Sequence, residues 1–299
     1  MEILEFIAGI RTPSLDQFFL LITKLGEELF LILIALYVAW CKDKKNGYYL
    51  FIVGFCGLMV NQIIKFIARV PRPWIKNPEL SVVEGAKAKA TGYSFPSGHT
   101  QTSVGLYGCL ARFTDNKILK IFCFIIIILV PFSRLYLGVH TPIDVLTSFV
   151  LAGLMVTFIY PVVNKSFDSI KRMSIIFGSL LLVGIIYVIY LSQVQNTETD
   201  KLIDALENGY KMIGAIAGLW LSFTIDKKYV NYETNAIWWA QIIKLVGGMI
   251  IFVLLRTALK SLFSFILGTN LIEGAVRYFI LVFIGLCVWP MTFKFYPKK

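Results

Sequence analysis

The sequence predicts an all-α fold, a polytopic membrane helix bundle with about nine membrane-spanning helices. Mean hydropathy is +0.73. Of the 299 residues, 57% are hydrophobic, which is the composition of an integral membrane protein. Apolar runs of roughly the twenty residues that cross a bilayer recur along the chain.

The candidate spans are residues 16–40, 48–68, 99–112, 118–138, 143–163, 173–193, 209–225, 236–256 and 275–293. Met1–Ile10 is too short to cross and reads as an interfacial helix. The first span contains Lys24, Glu27 and Glu28. Lys24 and Glu28 stand four residues apart, where one helix would pair them near the outer surface. The third span is short, so its helix is expected to be shielded by protein. Asn196–Glu207 is polar and loop-like. Gly214 and Gly218 have the spacing that lets helices approach closely, and Trp238 and Trp239 stand where interfacial anchors belong. Leu259–Leu267 is apolar on one face and reads as lying in the outer interface or re-entering. Residues 1–195 carry every chemistry-bearing motif. Residues 196–299 form a C-terminal extension of about three spans.

The net charge of +11 fits cytoplasmic loops rich in Lys and Arg, with a second contribution from a cationic pocket for an anionic headgroup. No long basic stripe suggests nucleic-acid binding. Five scattered cysteines read as small hydrophobes, not as disulfides or metal ligands. With 41–47 on the cytoplasmic side, alternate loops hold 14 Lys and Arg against 13 outside. Setting aside Lys65, Arg69, Arg72 and Arg134, which belong to or adjoin the polar clusters below, leaves 9 outside. The same choice puts all three clusters on one side. The expected location is the cell membrane, with the amino terminus and clusters external and the carboxyl terminus cytoplasmic.

Three polar clusters lie at the ends of apolar runs. The first holds Lys65, Arg72 and Pro73, with Arg72 placed in the loop because a residue before proline disfavours helix. The second is Pro96-Ser97-Gly98-His99. A helix starting there presents free N–H groups and a positive dipole end to an anion. Ser97 could equally be an ordinary helix cap. The third runs from Ser133-Arg134 through His140 to Asp144. Thr141-Pro142 opens a helix with Asp144 as its third residue, a capping arrangement that accounts for Asp144 but not for His140 or Arg134. A carboxylate one turn from His140 would also fix its ring and leave the other nitrogen as nucleophile or base. The clusters contain both histidines of the chain. Cations, N–H groups, a nucleophile and an acid suit phosphoryl transfer. Such two-histidine chemistry needs no metal, and no Asp, Glu or His cluster has metal-ligand spacing.

In order and spacing these clusters resemble the three-part signature of the type 2 phosphatidic acid phosphatase superfamily, over roughly residues 48–163. That superfamily also includes vanadium haloperoxidases, bacterial acid phosphatases and glucose-6-phosphatase. The resemblance implies a six-helix phosphatase core, with His140 attacking phosphorus, Asp144 orienting it and His99 protonating the leaving group. It further implies that Lys65, Arg72, Ser97, Gly98 and Arg134 bind phosphate, and that no cofactor is needed. The expected enzyme is an integral membrane phosphatase acting on a lipid phosphate or diphosphate. A phosphotransferase with a hydroxyl acceptor and an inactive membrane scaffold or transporter are the alternatives.

Overall fold

The computed structural model describes residues 1–88, 90–194, 199–267 and 270–298. Its helices are α1 (Glu2–Gly9), α2 (Pro13–Lys24), α3 (Glu28–Cys41), α4 (Lys44–Ala68), α5 (Pro73–Lys76), α6 (Glu84–Lys87) and α7 (Gly98–Phe113). There follow α8 (Lys117–Tyr136), α9 (Pro142–Ser166), α10 (Ile170–Gln193), α11 (Thr199–Ile225), α12 (Trp238–Ile242), α13 (Gly248–Leu267) and α14 (Leu271–Phe283). No strand occurs among the described residues. By packing the chain forms two compact units, Met1–Ile32 with Tyr49–Pro161, and Leu33–Tyr48 with Val162–Lys299. These group residues by contact, whereas 1–195 and 196–299 group them by motif.

Among the described residues, six helical segments are long and apolar enough to cross a membrane, where the hydropathy pattern predicts about nine. Each shortfall has a local reason. The first expected span is broken: α2 ends at Lys24, Leu25–Glu27 turn, and α3 starts at Glu28. Lys24 and Glu28 therefore lie on different helices, at the end of α2 and the start of α3. The third span, α7, is only 16 residues long, and Thr100–Tyr107 are all buried by protein, as its length suggested. α11 carries Asp200, Lys201, Asp204, Glu207 and Lys211 through its first half. Thr199–Glu207, expected as loop, is the start of this helix, while 196–198 lie outside the described residues. Leu259–Leu267 is likewise the continuous end of α13, neither a separate interfacial piece nor a re-entrant one.

In the first unit, α7 packs on α8, and α1 and α2 pack on α8 as well. Phe19 of α2 lies against Tyr136 with ring centroids 4.3 Å apart. Ile7, Phe19, Ala86, Tyr136, Leu137 and Val139 form a buried cluster. Tyr49 Oη donates to Val156 O at 2.6 Å, tying α4 to α9.

In the second unit, α11 packs on α14. A Cβ at Gly214 would collide with Ala275 O, and one at Gly218 would lie 2.7 Å from Phe279 O. The small-residue spacing thus serves an internal helix contact. Tyr48 packs among Phe167, Phe177 and Phe223. Three π-helical turns, Asp226–Val230, Ile243–Gly247 and Ile284–Val288, belong to this unit. Trp238 and Trp239 are exposed at the start of α12.

Candidate active site

All eight candidate residues fall in the first unit. The loop bearing His140 is fixed by how α8 ends. Val139 N–H donates to Arg134 O and Gly138 N–H to Leu135 O, with Gly138 at φ +78°, which is a Schellman termination. A side chain at Gly138 would also press on Arg11 Nη2 at 2.9 Å. The spacing from Arg134 to His140 is therefore one rigid turn. Arg11 braces it by donating to Tyr136 O at 2.7 Å and Ser81 O at 2.6 Å.

α9 then starts as its sequence suggests. Thr141 N–H donates to Asp144 Oδ2 at 2.8 Å, and Asp144 N–H donates back to Thr141 Oγ1 at 3.4 Å. The same Asp144 Oδ2 lies 3.4 Å from His140 Nδ1. Capping the helix and facing the histidine are thus done by one carboxylate.

Arg72 stands in extended backbone before Pro73, as expected. α4 closes at Arg69, whose φ of +48° is left-handed. Arg72 Nε donates to Gly92 O, Nη2 to Thr91 O and Nη1 to Val139 O. Its Nη1 also lies 3.1 Å from His140 Nε2. Arginine can only donate, so Nε2 carries the lone pair and Nδ1 the proton facing Asp144. Burial pushes the His140 imidazole well below its usual range. Asp144 opposes this, and the charges of Arg72, Arg134 and Lys65 add to it. Burial and the contact with Arg72 both favour the neutral imidazole.

Lys65 Nζ donates to Tyr93 O at 2.6 Å. Arg134, 4% exposed, donates from Nη1 to Thr23 Oγ1 at 2.7 Å and has Glu27 within electrostatic reach. Its Nε is buried with no hydrogen-bond partner among the described residues. Buried Arg72 and Arg134 and half-buried Lys65 thus lie with buried Asp144 and half-buried Glu27. An excess of buried positive charge with an orphaned donor is a demand for an anion.

Ser97 caps α7 by accepting from Thr100 N–H, and its own N–H donates to Asp144 O at 3.1 Å, joining the second cluster to the third. A Cβ at Gly98 would meet only Asn61 Oδ1, at 3.8 Å, so space is open at the first turn of α7. His99 sits on that turn, against Gly26. A side chain at Gly26 would come 2.8 Å from His99 O, so the break between α2 and α3 needs glycine for this approach.

Three residues of the site escaped the sequence reading. Ser94, fully buried, donates to Asp144 Oδ2 at 2.6 Å and lies 3.5 Å from His140 Nδ1. Thr23 receives Arg134, and Asn61 donates to Pro96 O at 3.3 Å. Thr23 and Asn61 are polar positions within apolar runs, a signal that was legible. Ser94 had only its nearness to Pro96. No group of three or more His, Cys, Asp or Glu that could hold a metal occurs among the described residues.

Comparison with known proteins identifies what this geometry belongs to. Residues 46–168 match the PAP2 superfamily model, and residues 210–297 match the PAP2 superfamily phosphatase transmembrane extension. Undecaprenyl-diphosphatase BcrC of Bacillus subtilis is 30% identical over 50% of this chain and 77% of its own length. The chain belongs to the PAP2 superfamily. Phosphatidylglycerophosphatase B of Bacillus subtilis is 30% identical over 54% of this chain and 80% of that protein. A probable sphingosine-1-phosphate phosphatase of Dictyostelium discoideum is 28% identical over 78% of this chain, which spans 60% of that relative. The crystal structure of a PAP2 type phosphatidylglycerolphosphate phosphatase from Bacillus subtilis aligns at TM-score 0.47 and 27% identity, over 55% of this chain and 84% of that one. The chain is thus a multi-pass membrane phosphatase of the PAP2 superfamily, among relatives that act on lipid phosphates.

Proposed function

We propose that this PAP2 protein hydrolyses a lipid phosphate or diphosphate at the external membrane face through a phosphohistidine on His140. The observation that carries the reading is the placement of His140, with Nδ1 3.4 Å from Asp144 Oδ2 and Nε2 3.1 Å from Arg72 Nη1, beside the buried Arg72 and Arg134. The substrate phosphate accepts from Lys65, Arg72, Arg134, Ser97 Oγ and the Gly98 N–H. Taking up the phosphate draws Arg72 Nη1 away from Nε2 and frees its lone pair. Nε2 attacks phosphorus, the phosphorus–oxygen bond to the lipid breaks, and His99 protonates the departing oxygen. Asp144 stabilises the positive charge that forms on the ring. Water, deprotonated by His99, then attacks phosphorus and releases inorganic phosphate and neutral His140.

Placing the active site outside rests on the loop charges and on the three clusters sharing one side. The relatives' names point to substrates of two kinds, a polyprenyl diphosphate and chain-bearing monophosphates. The test is phosphate release by the purified protein in detergent with EDTA. The panel holds phosphatidate, phosphatidylglycerol phosphate, undecaprenyl diphosphate and glucose 6-phosphate, each beside His140→Ala. EDTA-resistant release from a lipid lane that vanishes in the variant is expected. Release from glucose 6-phosphate alone, or release undiminished in His140→Ala, contradicts the reading.

A further inference from the structure

The superfamily model matches residues 46–168, so α1 and α2 lie outside it. Both nevertheless pack on α8, at the end that carries Arg134 and leads to His140. Arg11, between the two helices, donates to Tyr136 O. Thr12 N–H donates to Tyr136 Oη at 3.3 Å, and that hydroxyl donates on to Asp16 Oδ1 at 3.0 Å. Phe19 and Thr23 are the buried residues of α2. They stand one turn apart on one face of the helix. Phe19 meets the Tyr136 ring, and Thr23 meets Arg134. Leu15, Phe18 and Leu21 are exposed. The buried face of α2 is therefore turned toward Arg134 and Tyr136.

Thr23 lies in an apolar run, where a valine of nearly the same shape would bury no polar atom. What the hydroxyl adds is an acceptor for Arg134 Nη1 at 2.7 Å, with both side chains buried. The N–H groups of a guanidinium form a rigid planar fork, so holding one sets the direction of the others. With Nη1 held, Nε–H has no hydrogen-bond partner among the described residues. Thr23 also stands in the last turn of α2, where the helix dipole favours a cation. Glu27 is within electrostatic reach of the same guanidinium. The hydroxyl itself is uncharged, so it orients the guanidinium without neutralising it.

We propose that α2 is part of the phosphate site. Thr23 is a positioning residue: it holds the Arg134 guanidinium by Nη1 and so leaves Nε–H for a phosphate oxygen. The inference rests on the phosphatase reading above, and within it on Arg134 as a phosphate ligand. It extends the working site from the three polar clusters to an amino-terminal helix outside the matched stretch. Arg11 and Phe19 steady the turn after α8, and Thr23 sets the arginine at its end.

The test measures the dissociation constant of inorganic phosphate for the full-length protein in dodecyl maltoside, by phosphorus NMR. Thr23→Val and Thr23→Ala should each weaken binding about ten-fold or more, as should Arg134→Ala. Thr23→Ser keeps the hydroxyl and should stay within about three-fold of the wild type. In the Arg134→Ala background, Thr23→Val should cost nothing further, because a positioning residue acts only through its arginine. Partial misfolding lowers the number of sites and not their affinity, so a merely structural role would leave the constant unchanged. An unchanged constant in a folded Thr23→Val or Thr23→Ala protein overturns the proposal. So does the full loss recurring in the double variant, and so does collapse of both single variants, which would make Thr23 structural. Arg134→Ala binding phosphate like the wild type also overturns it, yet lipid hydrolysis that vanishes in His140→Ala would leave the phosphatase reading standing. Wild-type protein that neither binds phosphate nor cleaves a lipid defeats both.

Discussion

The second unit buries charge as the first does, but closes it. Lys44 Nζ lies 2.7 Å from Asp226 Oδ2, and Tyr232 N–H donates to Asp226 Oδ1 at 3.2 Å. Lys244, fully buried, donates to Glu233 O and Thr234 O at 3.2 Å each and sits 4.6 Å from the Phe293 ring centroid. Lys44 and Lys244 thus each have acceptors within the protein. In the first unit Arg134 keeps an orphaned Nε, Gln101 an orphaned Oε1, and Asp144 an orphaned Oδ1. Burial of charge alone therefore does not mark the active site. What separates the two clusters is whether the charged groups are matched: both oxygens of Asp226 are engaged, whereas Arg134 Nε and Asp144 Oδ1 have no hydrogen-bond partner among the described residues. The closed cluster is a clasp within the second unit, and the open one is where the proposed function places the substrate phosphate.

The largest expected effect that could break this contrast is at His140. His140→Ala should lower turnover by about a thousand-fold or more while the protein keeps its melting temperature within a few degrees. Turnover followed beside thermal unfolding in detergent checks both halves. Asp226→Ala should do the reverse. It strands Lys44 without its carboxylate, at a cost of about 3–5 kcal/mol in stability, with turnover per folded molecule retained. A stable Asp226→Ala protein with lost activity would show that the second cluster is no mere clasp.

Ser94→Ala sharpens the contrast within the site. Losing a donor to an ionised carboxylate is worth about 1.5–3 kcal/mol, so kcat should fall roughly ten- to a hundred-fold with KM nearly unchanged. Ser94→Thr should recover part of it. A KM change without a kcat change would move Ser94 from orienting the histidine to binding substrate.

The smallest expected effect is on pH. In the proposed mechanism His140 attacks only when neutral, so protonation on the acid side should abolish activity. Its pKa is lowered by burial and by neighbouring cations, against the pull of Asp144. The acid limb of kcat/KM due to His140 should therefore fall well below the value of about 6.5 of a free histidine. A limb at or above that value would contradict a neutral, buried His140. The sign for stability is the same. The folded state resists protonation more than the unfolded chain, so this group costs stability as pH falls below its unfolded pKa and costs nothing above it.

The candidate site was legible because its chemistry is carried by rare residue types at fixed spacing. Two histidines in the whole chain, each beside a helix start, leave few alternatives. Even the double duty of Asp144 could be read from Thr141-Pro142. The misses have a common cause. Hydropathy registers how apolar a stretch is, not how it is covered. It joined α2 to α3 across Gly26, where the break makes room for His99. It took Thr199–Glu207 for loop because the helix there is polar, though Lys201, Leu202, Ala205, Leu206 and Glu207 are good helix formers. Ser94 and Gln101 went unnoticed because a serine or glutamine becomes informative only when its partners, or their lack, are seen.

The central claim is tested most directly by trapping the intermediate. Wild-type protein would be mixed with lipid substrate radiolabelled in its terminal phosphate and quenched within the first turnover. The account predicts a protein-bound label that survives alkali, is lost in acid and maps to the peptide containing His140, with none in His140→Ala. An equal label in His140→Ala, or hydrolysis retained there with no label on either protein, would contradict it.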